Sequence, residues 1–253
     1  MTSYCSEYYD QYFTGVPGDA EFYVECATDC EGEVLELGCG TGRILVPIAA
    51  TDKAISGIDI DPELLAIAQK KLDQIPSGKE NGRLAAADMT DFELGREFGL
   101  VIVPYRTFQH LLTPADQQEA LRTIAKHLKP GGALVFDIFD PQLQLADTQR
   151  GSPLSKDTDF AIKGSGNRVV VWYAREFDPE AQIMEQELLF EEIDRGNRVV
   201  SQIRSRLTLR YSFRYEVEYL LEKCGFEPIE LLGDFYGGSY KGYGEQIWRA
   251  IKV

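Results

Sequence analysis

The sequence predicts a doubly wound, Rossmann-like α/β fold: a mostly parallel seven-stranded sheet with an antiparallel β-sheet inserted after the fifth strand. Three observations carry that prediction. Strand-like and helix-like patterns alternate five times between residues 34 and 139, the rhythm of crossover units in a parallel sheet. The run Gly38-Cys39-Gly40-Thr41-Gly42 joins the first strand to the first crossover helix. Beyond residue 165 the hydrophobic period switches to two over three long runs, as in antiparallel hairpins.

Each element follows from a local cause. Residues 20–30 suit a helix ahead of the sheet, with Asp19 as N-cap. Val34-Leu35-Glu36-Leu37 reads as a short buried strand. The glycines after it let backbone approach a ligand at the N-terminus of a helix over 43–50, where unpaired N–H groups are expected. Residues 54–59 form a second strand ending in Asp59. Pro62 opens a helix to Leu72 whose stripe is Leu64, Leu65, Ala68 and Leu72. Residues 83–89 read as a third strand carrying Asp88 near its end. Phe98–Val103 is nearly all apolar, as a strand buried on both faces must be. Thr113 and Pro114 start a helix with Leu121, Ile124, Ala125 and Leu128 on its core stripe. His127 falls off that stripe and is expected at the surface. Residues 133–139 make the fifth strand.

The stretch 141–165 is polar and turn-rich, and the runs 168–177, 183–193 and 198–213 then alternate. A helix over 215–223 and strands over 226–232 and 246–253 return to the parallel sheet. The expected organisation is therefore a core over 1–140, an inserted platform over 141–213 and the rest of the core over 214–253.

Composition narrows the function classes. A 44% hydrophobic and 11% aromatic chain of 253 residues can build a sizeable core. No stretch approaches the roughly 18 apolar residues of a membrane span, and the first residues lack the basic and apolar regions of a signal peptide. A cytoplasmic location with no membrane partner is expected. Five scattered cysteines argue against a disulfide framework, and Cys26 and Cys30 lack neighbouring ligands, so no metal is expected. The net charge of −15 repels polyanions, so nucleic acid is not an expected partner. Arg204, Arg206 and Arg210 share one strand face, Glu185, Glu187 and Glu191 another, and cross-strand pairing accounts for both better than a nucleic-acid patch.

Carboxylates fall where an open α/β sheet binds ligands. Asp59, at a strand's carboxyl end, can accept both hydroxyls of a ribose; Asp88 can accept from an adenine amine. The dinucleotide motif needs Gly-x-Gly-x-x-Gly, but here the third glycine comes one residue early and Arg43 follows. The ordered set Glu36, Gly38, Gly40, Gly42, Asp59 and Asp88 resembles the cofactor site of class I S-adenosylmethionine-dependent methyltransferases. Leu128-Lys129-Pro130-Gly131-Gly132-Ala133-Leu134-Val135 matches that family's approach to its fifth strand. The resemblance spans residues 20–140 and, more loosely, the C-terminal part, and is closest to small-molecule members such as the amino-sugar N-methyltransferases.

That resemblance implies S-adenosyl-L-methionine as cofactor, a small-molecule methyl acceptor, and a monomer or homodimer. It implies a cofactor shell of Tyr9, Tyr23, Glu36, Gly38, Cys39, Gly40, Asp59, Ile60, Asp88, Met89 and Pro104. Tyr9 or Tyr23 would lie near the methionine carboxylate. His110, after the fourth strand, would touch the acceptor, as a catalytic residue. A methyltransferase acting on a macromolecule, and a dehydrogenase or non-catalytic nucleotide-binding module, stand as alternatives.

Overall fold

Seven strands of one sheet run in the order β10-β11-β5-β4-β1-β2-β3. They are β1 (Val34–Leu37), β2 (Ile55–Asp59), β3 (Gly82–Ala86), β4 (Phe98–Val103), β5 (Leu128–Asp140), β10 (Phe226–Leu232) and β11 (Gly244–Lys252). The computed structural model describes residues 6–141 and 153–253; Cys5 and the part of the polar stretch from 142 to 152 lie outside them. All pairs from β3 to β5 are parallel, whereas β11 runs antiparallel to both β5 and β10. Strand order reverses between β1 and β4, which opens a crevice at their carboxyl ends.

The central strands β1, β2, β4 and most of β5 are buried on both faces, and alternate residues feed two apolar cores. Leu35, Val101 and Phe136 enter one core, with Leu121 and Ile124 of α6 (Pro114–His127). Val34, Leu100, Ile102 and Val135 enter the other, with Tyr23 of α2 (Asp19–Asp29) and Leu45 and Ile48 of α3 (Leu45–Ala49). Truncating a fully buried leucine such as Leu35 to alanine costs about 2–5 kcal/mol. Helix α4 (Pro62–Leu72) has the predicted bounds, because Asp61 accepts from the amides of Glu63 and Leu64 and Pro62 fits the first turn. Thr113 caps α6 by accepting from the Asp116 amide at 3.1 Å.

Two local expectations change. Gly18, at φ 85°, occupies the N-cap of α2 instead of Asp19. Asp19 is drawn into a bidentate pair with Arg43 at 2.8 and 2.7 Å. His127 is buried at 3% exposure, not at the surface. Its ring packs on Phe92 at 4.4 Å, Nδ1 lies 2.9 Å from the Thr123 carbonyl, and Nε2 accepts from the Leu94 amide at 3.3 Å. The segment 92–94 covers a helix face that the helix's own pattern leaves polar.

The remaining strands form an antiparallel sheet, β6 (Ser155–Ala161), β7 (Arg168–Asp178), β8 (Ile183–Ile193) and β9 (Val199–Arg210), in that order. β6 lies in the stretch expected to be turn-rich: its first five residues are polar and exposed, and its strand form comes from pairing with β7. Cross-strand charge pairing is partial. Arg204 pairs with Glu187, whereas Arg210 donates to the Ala181 carbonyl and Gln182, and Glu191 accepts from Trp172 and Gln202.

The chain divides into two compact units. One joins the N-terminal segment up to Phe13 to the antiparallel strands through Arg210; the other runs from Thr14 to the end of β5 and from Tyr211 to Val253. The N-terminal residues therefore group with the inserted strands rather than with the core. Tyr8 stacks on Phe190 at 5.8 Å and reaches Glu192, and the Tyr12 hydroxyl donates to Asp157 at 2.8 Å. Among the described residues no helix is long and apolar enough to cross a membrane. Helix α7 (Arg214–Lys223) precedes β10 in the larger unit.

Candidate cofactor site

At the carboxyl end of β1 the chain turns through three left-handed glycines, Gly38 (φ 68°), Gly40 (φ 52°) and Gly42 (φ 81°). Space is as restrictive as backbone angle: a Cβ on Gly38 would lie 2.2 Å from Cγ2 of Thr107. The loop spends its amides on its own chain. Gly38 and Cys39 donate to the Ile58 carbonyl at 2.8 and 3.0 Å, and Gly42 donates to Cys39 at 2.8 Å. Gly40 donates to Oδ2 of Asp59 at 2.8 Å. The amides expected to stand free for a ligand at these positions are thus used internally, and α3 is only five residues long.

What the crevice offers instead is carboxylate. Asp59 ends β2, and its Oδ1 also accepts from the Asp61 amide at 2.9 Å. Burial pushes its carboxyl up, against the pull of amides from Asp61 and Gly40. The Ile60 amide also bonds this carboxylate, which with two oxygens and about four lone-pair sites still has acceptor capacity for a hydroxyl. Ile60 follows with 73% exposure, a large apolar side chain left in the open beside a ligand-binding edge. Asp88 is exposed and lies just past β3, its Oδ1 held by the Thr90 amide and hydroxyl at 2.8 and 2.7 Å. Met89 is half-buried against the core.

Glu36 is the site's strongest electrostatic feature. It is 3% exposed, and Oε2 has no hydrogen-bond donor among the described residues. Burial pushes its carboxyl well up; Asp59 adds to the rise, while the Arg43 guanidinium and the Leu45 amide oppose it. A buried carboxylate with an unsatisfied oxygen suits an ammonium group. Cys39 is buried beneath the loop, its thiol pushed well up by burial and by the neighbouring acids, so it packs rather than reacts. Arg43 lies over the Tyr105 ring at 5.1 Å.

The second wall is the loop after β4. Pro104 is buried, and its carbonyl accepts from the Thr107 hydroxyl at 2.7 Å. Tyr105 (φ 56°) and Arg106 (φ 63°) are consecutive non-glycine residues in the left-handed region, which costs about 1–3 kcal/mol each. Asp137 of β5, fully buried, holds them. Its Oδ1 accepts from the Tyr105 amide at 2.8 Å and its Oδ2 from the Arg106 amide at 2.9 Å. Sequence reasoning missed Asp137; its signal was an acid inside the apolar run 134–138. Gln109 clamps the same loop to β5, donating to the Phe139 carbonyl and accepting from its amide at 3.1 and 2.9 Å.

His110 closes this segment, half-buried, and burial lowers its pKa to about 4, so the imidazole is neutral near pH 7. Tyr23 is fully buried and donates its hydroxyl to Asp137 at 2.6 Å, under the loop. Tyr9 belongs to the other unit, its ring 4.9 Å from Phe13. The structure thus brings Glu36, Gly38, Cys39, Gly40, Asp59, Ile60 and Pro104 to the carboxyl ends of neighbouring strands.

The chain is similar to known proteins over most of its length. Residues 34–132 match the methyltransferase-domain family. YqeM of Bacillus subtilis (strain 168), a methyltransferase by name, is 24% identical over 95% of this chain and 92% of its own length. A dTDP-3-amino-3,6-dideoxy-alpha-D-glucopyranose N,N-dimethyltransferase of Streptomyces fradiae is 28% identical over 55% of each chain, so the match spans about half of that enzyme. The fold is that of CalS10 from Micromonospora echinaspora, an amino pentose methyltransferase solved with S-adenosylmethionine bound: TM-score 0.72, 21% identity, 100% of this chain and 99% of that one. The fold is thus that of a methyltransferase, and residues 34–132 carry the match to the methyltransferase-domain family.

Proposed function

We propose that the chain methylates the amino group of a small soluble acceptor, a nucleotide-linked amino sugar. The use of the glycine-loop amides supports the choice of cofactor over a dinucleotide. Pyrophosphate needs free N–H groups at a helix start, whereas those of Gly38, Cys39, Gly40 and Gly42 are already bonded within the chain. The enzymes of Streptomyces fradiae and Micromonospora echinaspora named above support the amino-sugar class.

S-adenosylmethionine supplies a methyl group activated by its sulfonium. Asp59 takes the ribose hydroxyls, Asp88 the adenine amine, and Ile60 and Met89 the faces of the ring. Glu36 takes the ammonium of the methionine end. When bound, S-adenosylmethionine would offer this methyl to the lone pair of an acceptor nitrogen, the thioether leaving and the nitrogen's proton passing to solvent. A pKa of about 4 makes His110 a weak base, so it accepts a hydrogen bond from the acceptor and orients its lone pair. The inserted strands serve as acceptor platform. The enzyme works in the cytoplasm as a monomer or homodimer, and its charge of −15 disfavours a nucleic-acid acceptor.

Calorimetry with S-adenosylmethionine and with NAD, followed by methyl-transfer assays on dTDP-linked amino sugars and on peptides, tests this reading. Tight binding of NAD, or turnover of peptides alone, would sink it. Replacing the inserted strands up to Arg210 with a short linker, while keeping Tyr211 onward, is expected to abolish transfer and leave cofactor binding. Loss of both in a folded core would make the insertion structural.

A further inference from the structure

We infer that Asp137 is a positioning residue for cofactor binding: by holding Tyr105 and Arg106 in the left-handed region it sets where Thr107 meets Gly38. The inference rests on the reading that the glycine loop cradles S-adenosylmethionine. Asp137 is fully buried on β5, separated from β1 by β4, and three donors converge on it: the Tyr105 and Arg106 amides and the Tyr23 hydroxyl. The loop it shapes has no room for error, since any Cβ on Gly38 would collide with the Thr107 side chain. A shift of that loop is therefore a shift of the cradle.

An isosteric asparagine cannot replace the carboxylate. Its amide nitrogen would face either the Arg106 N–H or the pair of donors from Tyr105 and Tyr23, donor against donor. The groups that face Asp137 are Tyr23 from α2, Tyr105 and Arg106 from the loop after β4, and Glu245 from β11. Burial lifts its carboxyl to about 6, Glu245 adds to the rise, and the hydrogen bonds of Tyr23 and Tyr105 and the charge of Arg106 pull it back. Below that pH one oxygen carries a proton, cannot serve all its donors, and the loop loosens. Cofactor binding acquires an acid limb.

The test is calorimetry with S-adenosylhomocysteine from pH 5 to 8. Wild type is expected to lose about tenfold in affinity between pH 7.5 and pH 5. Asp137→Asn is expected to bind at least tenfold more weakly at pH 7.5 and to lose the part of the acid limb centred near pH 6, any remainder belonging to Glu36 and Asp59. Tyr23→Phe removes the bond that lowers the Asp137 pKa, so its limb moves to higher pH; this variant decides the matter if Asp137→Asn does not fold. Affinity of Asp137→Asn within twofold of wild type, a pH profile in that variant identical to wild type, or an unmoved midpoint in Tyr23→Phe overturns the inference. Absence of wild-type binding at any pH instead overturns the cofactor reading on which it stands.

Discussion

Two loops meet at the switch point, and both turn through the left-handed region by opposite means. The loop after β1 uses Gly38, Gly40 and Gly42, which adopt positive φ without a steric penalty. The loop after β4 uses Tyr105 and Arg106, which do not, and is held by a carboxylate from another strand. The first keeps its shape locally. The second keeps its shape only while β5 is in place, and in exchange it carries side chains: a ring under Arg43 and a guanidinium paired with Glu245. Freedom from strain and presence of functional groups are alternatives at adjacent positions of one crevice.

The largest expected effect comes from erasing the difference. Gly38→Ala adds a left-handed penalty and a collision with Thr107, together about 2–5 kcal/mol. Urea denaturation should show that loss, and S-adenosylmethionine affinity should fall with it. A variant with unchanged stability would mean the two loops are less tightly fitted than their geometry shows.

Asp59→Ala sharpens the comparison from the glycine side. It removes the acceptor of the Gly40 amide and the ribose contacts, each charge-assisted bond contributing about 1.5–3 kcal/mol. Cofactor affinity should drop at least tenfold in a protein that stays folded. Equal affinity would move the ribose elsewhere.

The smallest effect is expected at His110, on the other loop. His110→Asn should lower turnover about tenfold and leave cofactor affinity unchanged, separating the acceptor wall from the cofactor wall. Its pH signature has a definite sign. With a folded pKa of about 4, below the ordinary histidine value, the unfolded chain takes up the proton first, so stability from this site is lost as pH falls below about 6.5. Denaturation at pH 5 and pH 7 should therefore favour the variant at pH 5. A gap that does not change with pH would show that the imidazole is not desolvated.

Legibility in the sequence followed the same division between local and distant causes. Pro62–Leu72 and Phe98–Val103 were readable to the residue, because a proline in the first turn and an unbroken apolar run are local facts. The glycine loop was readable because positive φ selects glycine. Tyr105 and Arg106 were opaque, since nothing in their own segment requests a left-handed turn; the reason lies at Asp137 and reaches Tyr23 on α2. β6 was hidden for a like cause: Ser155–Ala161 has no strand pattern of its own and takes its form from β7. Likewise, His127 is buried by residues 92–94, far from its helix.

The antiparallel strand β11 has a consequence for synthesis. It sits between β5 and β10, pairing Gly244 with Asp140 and Ile251 with Ala133. On the ribosome, β5 is made long before its neighbour, and the whole hairpin series β6–β9 emerges in between. Those hairpins find their partners at short range and can close early. Meanwhile the Leu134–Phe136 flank of β5 waits as an open, apolar strand edge, the kind of surface that recruits other chains. The nascent protein is thus most vulnerable to aggregation in the interval before Gly244–Lys252 emerges, and a holdase acting in that window protects it most.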